Sequence, residues 1–181
     1  MRLLRSWPAD VPKGRSYVVD GVERLVMTGY DYAVLGDVDD DVLLLEWDIA
    51  VGEEELRAFA ARAADEPGRV LAATYRLYPG GSLRDPNRTT PAWSAWRYKV
   101  DQHNGGVVEV EPGAPAAHVV GLGMTYLPRN LIRRYLAERQ PDWGFSDIAF
   151  SGWHHRCVTP EIALDWQARP VHLHYKTPTV A

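Results

Sequence analysis

The chain holds one cysteine, Cys157, in 181 residues, so neither an internal disulfide nor a zinc site built on several thiolates is available. Long hydrophobic runs are missing too. Nothing approaches the ~18 consecutive apolar residues of a membrane-spanning helix, and the run Val42–Leu45 stops at the acid Glu46. Positive charge is not in excess: 20 Lys and Arg against 24 Asp and Glu leave a net charge of −4. That removes a global basic field that would draw in nucleic acid. Residues 1–8, Met-Arg-Leu-Leu-Arg-Ser-Trp-Pro, lack the apolar stretch of ~7–15 residues found in a secretory leader, and a cytoplasmic location is expected. What remains is ordinary globular composition, 46% apolar and 24% charged, sized for one domain. Seven Trp and nine Tyr stand out. Their flat apolar faces with a polar handle suit sugar or base stacking as well as core packing.

The pattern along the chain alternates strands and helices. Tyr17-Val18-Val19 and Glu23–Met27, split by Asp20-Gly21, predict a hairpin, and Tyr32-Ala33-Val34-Leu35 a further short strand. The acidic stretch from Asp37 to Asp41 reads as a solvated turn. The continuous apolar run Val42–Leu45 predicts a parallel central strand buried on both faces. A helix is expected over Glu53–Asp65, with acids in its first turn and Leu56, Phe59, Ala60 and Ala63 inward, stopped by Pro67-Gly68. The strand expected over 70–75 completes a right-handed βαβ unit. Residues 79–95, rich in Pro and Gly, predict a long loop, with a weak strand at 107–110 and a turn at 112–115. Pro128 opens a helix and Ser146 caps another from 147 to about 156. Strands at 162–166 and 171–175 close the chain.

The most informative segment is Glu46-Trp47-Asp48, two carboxylates at the end of a buried strand. In open α/β sheets ligands bind at the carboxyl ends of strands, and acids desolvated there need a cation or a proton. Asp37-Val38-Asp39 has the same spacing but precedes the strand and reads as a decoy. On a strand, His172 and His174 point to one face and can meet one ligand. Carboxylates with imidazole suit manganese, magnesium or another oxygen-seeking divalent ion. His154, His155 and Cys157 are neighbours by helical geometry, and Arg129, Arg133, Arg134 and Arg139 form a basic stripe that reads as a solvated helix face. Trp93 and Trp96 flank the long loop, where an aromatic lid over a sugar is conceivable.

An acid-x-Asp pair after an apolar strand, then a helix, then Thr74-Tyr75-Arg76 on a strand resembles the metal-binding core of GT-A glycosyltransferases. The block from Gly121-Leu122-Gly123 to Pro128, the segment Trp143-Gly144-Phe145-Ser146-Asp147 and the terminal His172-Leu173-His174 extend the likeness over about residues 42–175. The chain looks like the small GT-A-like glycosyltransferases of bacteria and bacteriophages. That resemblance implies an α/β fold: a single-domain, Rossmann-like mixed sheet flanked by helices over residues 1–181, with a short nucleotide-binding part at about 15–48. It implies that Glu46 and Asp48 hold Mn2+ or Mg2+ on a nucleotide-sugar diphosphate, with His174 completing the shell and His172 as second candidate. Glu46 stands where the family more often has Asp. Asp147 is then the base for the acceptor hydroxyl, and a single base implies inversion. Tyr75, Arg76, Gly121, Gly123 and Trp96 are assigned to substrate. The implied partners are a nucleotide-sugar donor and a hydroxyl acceptor of open class, with modified DNA retained, long duplex DNA disfavoured by the acidic charge, and no membrane. The cell is then a bacterium or a phage-infected host. Two rivals stand beside this: a non-catalytic sugar- or nucleotide-binding module of the same fold, and a metal-dependent nucleotide-sugar hydrolase.

Overall fold

The computed structural model describes residues 1–8, 23–27, 31–77, 92–99, 106–140 and 143–172. In chain order these form β1 (Arg2–Pro8), β2 (Glu23–Met27), a 3-10 helix (Tyr32–Asp37), β3 (Val42–Leu45), β4 (Ile49–Ala50), α1 (Glu53–Asp65), β5 (Leu71–Ala73) and β6 (Arg76–Leu77). There follow β7 (Ala92–Trp93), β8 (Ala95–Tyr98), β9 (Val107–Glu109), β10 (Ala116–Ala117), β11 (Val119–Val120) and β12 (Met124–Leu127). The chain then builds α2 (Arg129–Glu138), α3 (Asp147–Cys157), β13 (Ile162–Asp165) and β14 (Val171–His172).

The main sheet runs β10-β13-β5-β12-β3-β1-β2. β3 is the buried strand its sequence predicts, and its alternation serves both faces. Val42 and Leu44 pack with Leu131, Ile132 and Phe150 of α2 and α3, while Leu43 and Leu45 pack with Leu56 and Phe59 of α1. Full burial of each such side chain favours the fold by about 1.5–3 kcal/mol. β3 lies parallel to β1 but antiparallel to β12. β5 is also antiparallel to β12 and parallel to β13, so β3, β5 and β13 point the same way. The β3–α1–β5 segment therefore keeps the parallel sense of a βαβ unit with β12 inserted between its strands. The carboxyl ends of β3 and β5 and the start of β12 share one edge, which is where the site forms.

Helix α1 begins and ends where the pattern predicts, and Gly68 turns the chain after it with a φ of +87°, a region that favours glycine. Ser146 caps α3 by accepting from the Ala149 N–H at 3.3 Å. α2 has no side-chain cap of its own at Pro128. Asp41 replaces one from outside, accepting the Arg129 N–H at 2.8 Å.

One expectation changes, and two others fall partly outside the described residues. Tyr32-Ala33-Val34-Leu35 is not a strand but part of the 3-10 helix, because Asp31 accepts the Ala33 N–H at 2.9 Å and Tyr32 and Leu35, three apart, both turn inward. Glu23–Met27 is a strand, paired in parallel with β1; the hairpin expected across Asp20-Gly21 with Tyr17-Val18-Val19 lies outside the described residues. Of the strand expected at 171–175, β14 covers the first part and 173–175 lie outside the described residues. No helix among the described residues is long and apolar enough to cross a membrane.

Candidate active site

Glu46 leaves β3 at its carboxyl end, its N–H donating to the Gly123 carbonyl at 2.7 Å where β12 begins. A turn through Trp47 and Asp48 leads into β4. β14 pairs antiparallel with β4, setting His172 opposite Ile49, so the His172 Nε2 comes within 3.1 Å of the Asp48 carboxylate. The two-stranded ribbon thus places the imidazole. Arg5 of β1 reaches the carbonyls of Trp47 and Ile49, each at 3.4 Å, and steadies the turn.

The Glu46 carboxyl is bound by the Tyr32 hydroxyl, which the 3-10 helix presents. The Tyr32 N–H donates to the Phe145 carbonyl at 2.9 Å, and this link ties that helix to the segment that starts α3 and carries Asp147. Burial pushes the Glu46 carboxyl up to about 7, with the charges of Asp48 and Asp147 adding to the rise and Tyr32 and His172 opposing it. Burial likewise raises Asp147 above the ordinary carboxylate range, against the pull of the Ile148 N–H, which donates to its Oδ1 at 2.7 Å. Burial, then the charge of Glu46, holds the Tyr32 and Tyr75 hydroxyls well above their usual value, so both stay protonated donors. Glu46 thus feels two further carboxylates at one sheet edge, and none of the three meets an arginine or lysine among the described residues.

Tyr75, just beyond β5, stacks flat against His172 with centroids 5.7 Å apart and planes within 6°. Its hydroxyl accepts the Gly123 N–H at 3.3 Å. A Cβ on Gly123 would stand 2.7 Å from the Tyr75 ring, and one on Gly121 would also strike Tyr75. The close approach those glycines permit is therefore to Tyr75. Arg76 and Trp93 face each other across β6 and β7 and line, with Tyr75 and His172, a cleft of about 470 Å³. Trp96 sits instead on β8, paired with Glu109 and Val119. His174 lies outside the described residues.

The structure thus brings Glu46, Asp48, Asp147, His172, Tyr75, Gly121, Gly123 and Arg76 to one region and leaves Trp96 apart from the cleft. Among the described residues, no three His, Cys, Asp or Glu side chains are grouped closely enough to hold a metal ion by themselves. Sequence reasoning missed Tyr32. Nothing local marks Tyr32, because its role depends on a helix end far along the chain. The other constellations are structural. His154 is 2% exposed, and burial drives it down to about 4, so it is a neutral core residue. Cys157 is exposed at the end of α3. The basic stripe is answered: Arg129 and Arg133 reach Asp39, Arg134 meets Glu138, and Arg139 approaches Asp31.

No family model and no curated protein matches the chain. Among solved structures, the crystal structure of A197 from STIV is similar to it, with a TM-score of 0.56 at 15% identity over 97% of this chain and 87% of A197. The fold is GT-A-like. At that identity the likeness concerns architecture: a mixed α/β sheet with helices on both faces, as the motifs from Glu46 to Asp147 imply.

Proposed function

We propose that this chain is a glycosyltransferase that moves a sugar from a nucleotide-sugar donor to a hydroxyl acceptor, aided by a divalent ion. One observation carries the reading: Glu46, Asp48 and Asp147 crowd the carboxyl edge of a GT-A-like sheet with His172 and, among the described residues, with no arginine or lysine to neutralise them. Desolvated carboxylates that repel one another favour a cation or a proton. Oxygen ligands with one imidazole fit Mn2+ or Mg2+. Asp48 and His172 would hold the ion, with Glu46 beside them and His174 the further candidate; donor phosphates and water would fill the other positions. A bound ion supplies Lewis-acid stabilisation of the negative charge that grows on the departing diphosphate.

The chain's own residues do the rest. In the reaction the acceptor oxygen bonds to the anomeric carbon. The bond from that carbon to the phosphate oxygen breaks, its electron pair leaving with the nucleotide diphosphate. Asp147 takes the acceptor proton, and burial makes it a stronger base than an exposed aspartate. With one base and no covalent intermediate, the anomeric configuration inverts. Tyr75 braces the His172 ring, and Tyr32 fixes the Glu46 carboxyl by donating to it.

The test is product analysis on a panel of nucleotide sugars with manganese. A glycosylated acceptor supports the reading; free sugar alone points to the hydrolase, and neither product, with binding retained, points to the binding module. Asp147→Asn should cut transfer by about a hundredfold or more while leaving the manganese-dependent thermal shift with donor in place. Full turnover in that variant removes Asp147 from the base role.

A further inference from the structure

Arginines of this chain commonly face a carboxylate: Arg62 meets Asp165, Arg69 meets Glu66, Arg97 meets Glu161 and Arg133 meets Asp39. Arg76 and Arg169 meet none among the described residues. Both line the cleft beside His172, and no Asp or Glu among the described residues lines it. In a chain of net charge −4 that is a local reversal of sign.

The positive groups are built onto an aromatic wall. Arg76 stands directly across the β6–β7 pair from Trp93, its guanidinium carbon 4.7 Å from the ring centroid. Stacked this way, a guanidinium keeps its in-plane N–H donors free for an anion. Trp93 in turn meets Trp166 edge-on, with centroids 5.0 Å apart at 76°. Trp166 is pinned because its Nε1–H donates to the Ala114 carbonyl at 2.6 Å. The two indoles therefore form a fixed apolar surface, extended by Ala168 and Pro170, with cationic donors at its margin. A cleft of about 470 Å³ has the size of a small-ligand site.

We propose that this cleft binds an anionic saccharide, a sugar ring carrying a carboxylate or a phosphate. Its apolar face lies on the indoles and its anionic group meets Arg76 and Arg169. Its role as the acceptor rests on the glycosyl-transfer reading above, since the cleft shares Tyr75 and His172 with the carboxylate site. Binding itself does not require that reading.

Tryptophan fluorescence of the whole chain, in chelator and without donor, tests it. The probes are glucuronic acid, glucose 6-phosphate, glucose and inorganic phosphate. A saturable change with one or both anionic sugars is expected, and which of them saturates distinguishes carboxylate from phosphate. Glucose and inorganic phosphate should bind at least about tenfold more weakly, because each lacks half of the recognition. Arg169→Gln and Arg76→Gln should each weaken the anionic sugar by about tenfold or more, the scale of a lost charge-assisted hydrogen bond. Arg156→Gln, outside the cleft and stacked near Trp143, should change nothing. Equal binding of glucose and the anionic sugars, or no saturable binding of either anionic sugar, overturns the proposal. Displacement of the sugar by a nucleoside diphosphate overturns its acceptor role and gives the arginines to the donor phosphates. Retained anionic-sugar binding in a protein that transfers nothing would sink the transferase reading and leave the saccharide site standing.

Discussion

Asp37-Val38-Asp39 and Glu46-Trp47-Asp48 share a spacing and little else. Asp39 is 81% exposed, and Arg129 and Arg133 reach it at 2.8 and 2.7 Å. Water and guanidinium groups absorb its charge, and it does the ordinary work of a surface acid beside a basic helix face. Nearby Asp41 is drawn into structure: burial works against its charge, yet the Arg129 N–H and the Tyr126 hydroxyl hold it below the usual carboxylate range. Among the described residues, Glu46 has no such support. Its partners are a tyrosine hydroxyl and two other acids, and burial keeps it half-protonated near pH 7. Spacing therefore says little about acid pairs; what decides their chemistry is whether the fold supplies cations. It supplies arginine to the first pair and, among the described residues, leaves the second with one imidazole, on Asp48.

The sharpest way to break that contrast is Glu46→Gln. A carboxyl raised from 4.5 to about 7 contributes stability that is fully present below pH 4.5 and is lost as pH rises through 7. The loss approaches about 3.5 kcal/mol, at ~1.4 kcal/mol per pH unit of difference. The Gln side chain stays neutral and still accepts from Tyr32. In chelator the variant should match its parent near pH 4.5 and exceed it by about 3 kcal/mol at pH 8, measured by urea unfolding at both pH values. His154 slopes the other way. Its value, lowered to about 4, gives stability present above pH 6.5 and lost as pH falls toward 4. The two groups oppose one another in the parent, so Glu46→Gln should also steepen the acid-side loss. A constant difference across pH would show that Glu46 is not the buried acid described.

Asp48→Asn asks whether the second pair takes a cation. The variant should fold about as well as the parent in chelator, since Asn keeps the size and much of the hydrogen bonding. It should lose the manganese-dependent rise in melting temperature. That rise is worth about 2.7 kcal/mol in the parent at 100 times the dissociation constant. An equal fall with and without manganese would make Asp48 a structural anchor of the β4–β14 ribbon instead.

Where local patterns decide the outcome, the sequence was readable. The acidic first turn and inward stripe of α1, the Ser146 cap of α3 and the two-faced burial of β3 are each set by residues within a turn or two. The edge that holds Glu46 and Asp48 was readable as well, because an apolar strand ending in acids constrains where they emerge. The failures are non-local. Tyr32 looked like a strand residue until Asp31 capped a 3-10 turn and Phe145 received its N–H. β1 carried no clear pattern, yet it pairs with both β2 and β3. Gly121 and Gly123 were assigned to substrate, whereas the group packed against both is Tyr75, which follows only from how β5 and β12 lie together.

Gly123→Ala uses that last point to perturb the second pair without touching a charge. The added Cβ would stand 2.7 Å from the Tyr75 ring, which must shift, and Tyr75 braces His172. Overpacking of this kind costs roughly 1–3 kcal/mol. The expected result is a lower melting temperature and a weaker manganese effect together, read in parallel thermal melts in chelator and in manganese. A variant as stable as its parent would mean that Tyr75 is free to move.

The smallest effect belongs to the first pair, and it is the control that gives the comparison its force. Asp39→Asn removes a carboxylate of identical spacing that faces solvent and two arginines. Exposed ion pairs contribute about 0.2–1 kcal/mol and weaken with salt, because water already solvates both partners. The variant should therefore melt slightly lower at low ionic strength and no differently at ~1 M salt, where the screening length is about 3 Å. Manganese should raise its melting temperature as much as it raises the parent's. If Asp39→Asn instead abolished the manganese response while Asp48→Asn kept it, the cation would belong to the exposed pair. Burial would then not be what distinguishes the two, and the carboxylate edge at the end of β3 would lose its claim to be the site.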